Sequence, residues 1–154
     1  MAKSFNSISD FNNYMKSVIS LIVNDMLNVS LVSGNETATV ISERITNTGK
    51  KGDGKRIGKY SPFTKRIKNK KGQENSFVNL TDTGDMWKHF KVIENNVANK
   101  NITTVIGGQD EFTNQKLTDN TERYGDFLGL TKKEEKLLAA AFDAELQIVL
   151  DKYF

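Results

Sequence analysis

Val92-Ile93-Glu94-Asn95-Asn96-Val97-Ala98-Asn99-Lys100-Asn101-Ile102-Thr103-Thr104-Val105-Ile106 is the stretch on which the fold turns. Val92 to Glu94 and Ile102 to Ile106 are apolar and β-branched, so they read as two strands. The Asn- and Lys-rich residues between them read as the connection, and Gly107-Gly108 ends the second strand. Most of what surrounds this pair reads as helix or loop, with one further short strand upstream. The chain is therefore α+β, with a small antiparallel sheet of about three or four strands packed against long N- and C-terminal amphipathic helices.

Immediately upstream lies Leu80-Thr81-Asp82-Thr83-Gly84-Asp85-Met86-Trp87-Lys88-His89-Phe90. Gly84 permits a tight turn, Asp82 or Thr83 caps a helix over 84–90, and Met86, Trp87 and Phe90 supply core anchors. Phe77-Val78-Asn79-Leu80 reads as a further short strand. Downstream, a polar helix over about 110–123 has Phe112 and Leu117 as weak anchors. Then comes Arg123-Tyr124-Gly125-Asp126-Phe127-Leu128-Gly129-Leu130-Thr131, where Gly129 allows a turn. Thr131 and Glu134 make a capping box, each satisfying a free N–H at a helix start. Leu137, Leu138, Ala141, Phe142, Leu146, Val149 and Tyr153 give the last helix a continuous apolar stripe, which places it in the core.

The N-terminal part is helical over 9–28, where Phe11, Tyr14, Met15, Val18, Ile19, Ile22, Met26 and Leu27 recur at three- and four-residue steps. Ser7 or Ser9 can cap it. A weaker helix covers 35–46, with Val40, Ile41 and Ile45 on one side. Thr37 and Thr39 are poor helix formers, so a strand reading of its centre stands equally open. From Thr46 to Gly58, glycines lie among lysines with little to pack. A mobile basic loop is expected at about 47–58, ordered by a partner and cut first by proteases. Tyr60-Ser61-Pro62-Phe63 starts a short basic helix that runs to Lys70 and ends at Gly72.

Composition narrows the function classes. The 154 residues fit one domain, 1–154, with a real core. There is no cysteine, which excludes disulfides and thiolate metal sites, and a single histidine, His89, excludes a two-histidine metal site within one chain. No run of eighteen residues is wholly apolar, so no membrane span is expected. The first twenty residues are interrupted by Asn, Ser and Asp and do not read as a secretory signal. The net charge of +3 hides an asymmetry. Residues 50–71 hold ten basic side chains against one acid, net +9, and the remainder is net −6. The ten are Lys50, Lys51, Lys55, Arg56, Lys59, Lys65, Arg66, Lys68, Lys70 and Lys71. Such a segment can favour head-to-tail contact with an acidic body, serve as a footprint for phosphate, or be a solvated face.

The motifs that carry chemistry elsewhere read blandly here. Gly49-Lys50-Lys51-Gly52-Asp53-Gly54-Lys55-Arg56 has phosphate-loop spacing but puts Arg56 where magnesium needs Ser or Thr, and no apolar strand precedes it. His89 lacks a nucleophile and an orienting carboxylate in the sequence around it, so it reads as a core-edge or surface residue. Asp82 with Asp85, and Asp119, Glu122 and Asp126, sit where helix caps and first turns favour acids. No catalytic residue, cofactor or metal is expected. Tyr60 and Phe63 beside lysines keep a small basic nucleic-acid-binding domain in view. A small hydrolase or toxin is the third reading.

Leu80, Thr83, Gly84 and Met86, followed by Phe127, Leu128, Gly129 and Leu130, resemble the tailed-phage virion morphogenesis family, the tail-completion or head–tail joining proteins. The resemblance covers roughly residues 50–154 and follows the family's order of elements. Gly125-Asp126 stands where family members often carry Arg and Pro. It implies a non-enzymatic virion protein of the neck or tail, made in the host bacterial cytoplasm. It implies a homo-oligomeric ring, sixfold or twelvefold, touching portal, adaptor or tail proteins and packaged DNA, with no membrane partner. The basic segment would then lie at a subunit contact or line the channel.

Overall fold

The computed structural model describes residues 4–153. Helix α1 spans Ile8–Thr48, α2 Pro62–Lys70, α3 Asp85–Lys88, α4 Glu111–Tyr124 and α5 Lys132–Tyr153. Strands β1, Phe90–Ala98, and β2, Asn101–Gly108, pair antiparallel. The chain is thus α+β, but with a two-stranded sheet where three or four strands were expected.

The two N-terminal helices of the sequence reading are one helix of 41 residues, roughly 60 Å long at 1.5 Å per residue. Ser7 caps it by accepting from the Asp10 N–H at 3.0 Å, and Gly49 closes it in the left-handed conformation. The strand alternative for its centre fails for two reasons, one local and one long-range. Thr37 and Thr39 donate their hydroxyls to the carbonyls of Ser33 and Asn35, so each β-branched residue is satisfied inside the helix. Gly34 is where the hairpin crosses: a Cβ there would stand 2.6 Å from Val92 Cγ2 and 2.7 Å from Thr104 Cγ2. A residue that is poor for an isolated helix is therefore what lets helix and sheet touch.

The β1–β2 connection is two residues, Asn99 and Lys100, both with positive φ. That is the turn whose twist matches a hairpin, so Asn95 to Ala98 continue the strand instead of forming a loop. A bulge lies between Val92 and Glu94. The hairpin is fastened along α1 by three polar contacts: Val92 N–H to Asn35 Oδ1 at 3.1 Å, Asn95 Nδ2 to the Leu27 carbonyl at 2.9 Å, and Ser30 with Thr104.

The expected strand at 77–80 is absent. Val78 and Asn79 are buried in an irregular segment. Its backbone is satisfied by side chains: the Tyr60 hydroxyl accepts from the Asn79 N–H at 3.2 Å, and Asn79 Oδ1 accepts from the Thr81 N–H at 3.1 Å. An apolar run this short does not distinguish a strand from a buried irregular segment.

α5 begins at the expected capping box, with Glu134 N–H to Thr131 Oγ1 at 3.2 Å and Thr131 N–H to Glu134 Oε2 at 2.7 Å. It runs antiparallel to α1, from Arg44 beside Glu134 to Asp25 beside Lys152 and Tyr153. Its stripe is shallower than expected. Val149 alone is buried, Phe142 is half-buried and Leu137 is exposed. The main core gathers instead between the C-terminal half of α1 and the irregular segments: Ile41, Ile45, Ile57, Val78, Met86, Phe90, Leu117 and Phe127. Phe112, expected as an anchor of α4, is exposed under the Lys116 ammonium.

The N-terminal half of α1 projects past the end of α5. Ile8 is 81% exposed, and Phe11, Ile19 and Leu21 are exposed as well. Although no eighteen residues are uninterruptedly apolar, α1 does contain an eighteen-residue window of mean hydropathy 1.4, only 11% buried. By length and composition alone it passes for a membrane span, a test that the core helix of a soluble protein or a signal sequence also passes.

Candidate functional site

The ten basic residues do not form one surface. The turn they begin in is built and anchored. Lys50 and Arg56 form a β-bridge, the Lys51 N–H donates to the Lys55 carbonyl, and the Ile57 N–H donates to the Gly49 carbonyl. Ile57, 5% exposed, is the apolar anchor that the sequence reading missed. Gly52 lies directly on the turn before α5, where a Cβ would meet the Gly129 carbonyl oxygen at 2.3 Å. The Lys51 ammonium donates to the Tyr124 carbonyl, and Lys55 pairs with Asp53 at 3.3 Å. The loop expected to be mobile is a docked turn.

Arg44 holds it there. Its guanidinium donates to Glu134 Oε1 at 3.0 Å, to the Lys50 carbonyl at 2.6 Å and to the Gly129 carbonyl at 2.6 Å. One planar fork thus joins α1, the basic turn and the entry to α5. The sequence reading did not single this residue out. The signal was available: Arg44 is the sole basic residue between Lys16 and Lys50, set among the apolar positions Ile41 and Ile45.

A second clamp joins α2 to the Leu80–Met86 turn. Lys68 is buried on the inner side of α2 and donates to the Thr81 carbonyl, with Asn79 Oδ1 at 3.4 Å. Burial pushes its ammonium below the usual lysine range, while the charge of Asp82 pulls the other way. Lys71 pairs with Asp82 at 2.7 Å, and Gln73 donates to the Asp82 carbonyl at 2.6 Å. The Lys71 hydrogen bond is the largest cause that holds the Asp82 carboxyl below its ordinary value. Leu80 adopts φ +52°, a strained position for a branched residue, kept by this network. Between α2, the turn and α4 lies a cleft of about 360 Å³, walled by Ile67, Leu80, Met86 and Tyr124. Two of its lysines, Lys68 and Lys71, are committed to the turn.

The resemblance motifs fall where their chemistry suits them. Met86 and Phe127 are core, Leu128 and Leu130 pack against it, and Gly84 takes φ +85° as the cap of α3. Thr83 Oγ1 accepts from the Asp85 N–H at 3.3 Å, so Thr83 serves the helix start. Gly129 is exposed and offers its carbonyl to Arg44.

What remains of the basic segment is Lys50, Arg56, Lys59, Lys65, Arg66 and Lys70, all exposed and without ion pairs among the described residues. On α2, Phe63, Arg66, Ile67 and Lys70 share one face at helical spacing, with Phe63 71% exposed.

His89 has the carboxylate partner that the sequence did not reveal. Its Nδ1 is 2.8 Å from Asp110 Oδ2. Asp110 caps α4, and the bond it accepts from the Thr113 N–H is the main cause that lowers its pKa. The groove around the pair is lined by Asp85, Glu111, Phe112 and Gln115, which supply no hydroxyl or thiol nucleophile. Among the described residues no group of three acidic, histidine or cysteine side chains is placed to hold a metal.

Comparison of the chain with protein-family models, curated proteins and solved structures returns no match.

Proposed function

We propose that the chain is a structural subunit of a tailed-phage virion, acting in the neck or tail as a head–tail joining or tail-completion ring protein. The observation that carries this reading is the projecting half of α1. It exposes Ile8, Phe11, Ile19 and Leu21 on one helix, an apolar surface of the kind that other protein covers in an assembly. The two motif segments support the reading in a different way. They lock the turn, α2 and the entry to α5 into a base from which the apolar arm and the basic face of α2 extend. In this reading the partners are further copies in a sixfold or twelvefold ring, portal, adaptor or tail proteins, and packaged DNA. The work done is assembly, with no catalytic step.

Mass spectrometry of purified particles tests it, alongside the native mass of the isolated chain. The expected result is a fixed copy number per particle. A chain abundant in infected cells and missing from particles would refute it. Charge reversal at Lys59, Lys65, Arg66 and Lys70 should impair incorporation while leaving the fold intact, because exposed charges contribute little to stability. Lys68 does not belong in that set, since its reversal would bury an acid against the Thr81 carbonyl.

Exposed Phe63 among Lys59, Arg66 and Lys70 favours the second reading, a small basic nucleic-acid-binding domain. That reading predicts that the monomer binds single-stranded DNA, with affinity falling steeply with salt and lost in Phe63→Ala.

A further inference from the structure

We propose that the cleft between α2, the Leu80–Met86 turn and α4 binds a small organic acid. Its carboxylate meets the Lys68 ammonium, and its apolar body lies between Ile67, Leu80, Met86 and Tyr124.

The carboxylate end is set by how Lys68 is held. The residue is 6% exposed. An ammonium carries three N–H donors, and the Thr81 carbonyl takes one. The next acceptor, Asn79 Oδ1, is 3.4 Å away. That oxygen already receives the Tyr60 hydroxyl at 2.8 Å and the Thr81 N–H at 3.1 Å. The Tyr60 ring, centred 5.1 Å from Nζ, offers a π face and no lone pair. Among the described residues no carboxylate is within ion-pair distance of Lys68. A buried cation with no counter-charge is costly, and its pKa falls for that reason. Tyr60, Lys68 and Thr81 all line the cleft, so an anion entering there reaches the ammonium and supplies what it lacks.

The sign of the ligand follows from the remaining charges. Asp82 and Asp85 also line the cleft, but Asp82 is paired with Lys71 at 2.7 Å and Asp85 with Lys88 at 3.1 Å. Lys116, on the α4 side, has no ion pair among the described residues. The unmatched charge is therefore positive, and the cleft favours an anion. No arginine lines it, so the planar fork that suits phosphate is missing, and one buried ammonium matches a singly charged head.

The walls set the rest of the molecule. Met86 is buried in the core and Leu80 packs against it, so the apolar surface stands ready before a ligand arrives and little ordering is needed. A volume of about 360 Å³ suits a small molecule better than a length of polypeptide. The proposal does not rest on the virion reading, since binding is read on the isolated chain.

Titration of the isotope-labelled full-length chain with para-ethylbenzoate, para-ethylbenzamide and para-ethylbenzylamine, followed by NMR, tests it. The acid should move the Met86 methyl and the Lys68 and Thr81 amides, with a Kd of about 1 mM or tighter. The amide, which keeps the shape and loses the charge, should bind about tenfold more weakly or worse, and the amine should not saturate. Lys68→Met should reduce the affinity for the acid to that for the amide. Where that variant loses its fold, Ile67→Glu serves instead. Ile67 is 39% exposed on α2, and a carboxylate there should repel the acid more than the amide. Equal affinities for acid and amide would overturn the proposal. So would shifts confined to the exposed residues of α1, or none at about 10 mM acid. A short acetylated peptide with leucine beside glutamate, binding in the cleft about tenfold tighter than the small acid, would give the site to a protein partner and overturn it as well.

Discussion

Arg44→Leu is the perturbation that best probes how this fold is tied together. The Arg44 side chain is 9% exposed and that of its partner Glu134 15%, so the pair sits largely out of bulk water. Removing the cation leaves a mostly buried carboxylate without its counter-charge, a change that costs about 3–5 kcal/mol in fully buried pairs. Glu134 keeps the Thr131 N–H bond and some solvent, which places the loss at the low end, about 3 kcal/mol. The Lys50 and Gly129 carbonyls lose their donor as well, but water can reach them. For a chain of this size the cost corresponds to a melting temperature lowered by roughly 6–12 °C. Arg44→Lys should lose a good part of this, because one ammonium cannot span three acceptors in a plane. Arg44→Leu combined with Glu134→Gln should recover part of the loss, since the stranded charge is gone. Thermal and urea melts followed by circular dichroism read all three. An Arg44→Leu protein that melts within two or so degrees of wild type would show the fork to be ornamental, and the argument for a docked basic turn would go with it.

Three further outcomes follow from the packing. Gly34→Ala should gain about 1 kcal/mol of helix propensity yet lose more by pushing Val92 and Thr104 away, giving a net loss of about 1–2 kcal/mol; a higher melting temperature would refute the close approach. Gly52→Val should lift the basic turn off the Gly129 carbonyl, so trypsin should cut after Lys55 and Arg56 much faster than in the wild type, and equal cutting rates would mean the turn was never docked. Asp25, Asp82 and Asp110 all have carboxyls held below their ordinary value of 3.8, by Lys152, Lys71 and the Thr113 N–H respectively. A depressed folded-state pKa stabilises above the unfolded value and is lost as pH falls through the folded one, so the melting temperature should fall below about pH 4. Asp25→Asn should make that acid loss shallower, and an unchanged slope in a pH series would count against the Asp25 contacts.

What the sequence made legible was local. The Thr131–Glu134 box, the Ser61-Pro62 start of α2 and the Gly107-Gly108 end of the hairpin each depend on residues within a few positions, and each stands where the reading put it or within a residue or two. What it hid was set by partners far along the chain. The middle of α1 looked broken because Thr37 and Thr39 are weak helix formers, and the hairpin that Gly34 lets approach the helix lies about sixty residues away. Val78 looked like a strand because nothing local shows that Tyr60 and Asn79 satisfy its neighbourhood. The basic segment misled in another way. Counting charges gave the sign of the field but not its geometry: Lys51 and Lys68 turned inward to cap carbonyls, and Lys71, at the surface, paired with Asp82.

That inward use of charge bears on how the assembly would work. With Lys51, Lys68 and Lys71 fixing turns, the basic side chains still open to a partner are fewer than the raw +9 suggests, and they are water-exposed and screened by salt. Such charges guide encounter and orientation more than they hold a complex together. The apolar arm has the complementary character: exposed aliphatic and aromatic area, with Asp10, Lys16 and the paired Asp25 as its charges, and little for salt to screen. In the proposed assembly the two surfaces therefore divide the task. Rising ionic strength should slow association through the α2 face while leaving the dissociation of arm-held neighbours nearly unchanged. The reverse pattern, fast dissociation at high salt with an unaffected on-rate, would place the binding energy on the lysines and remove the arm from the contact.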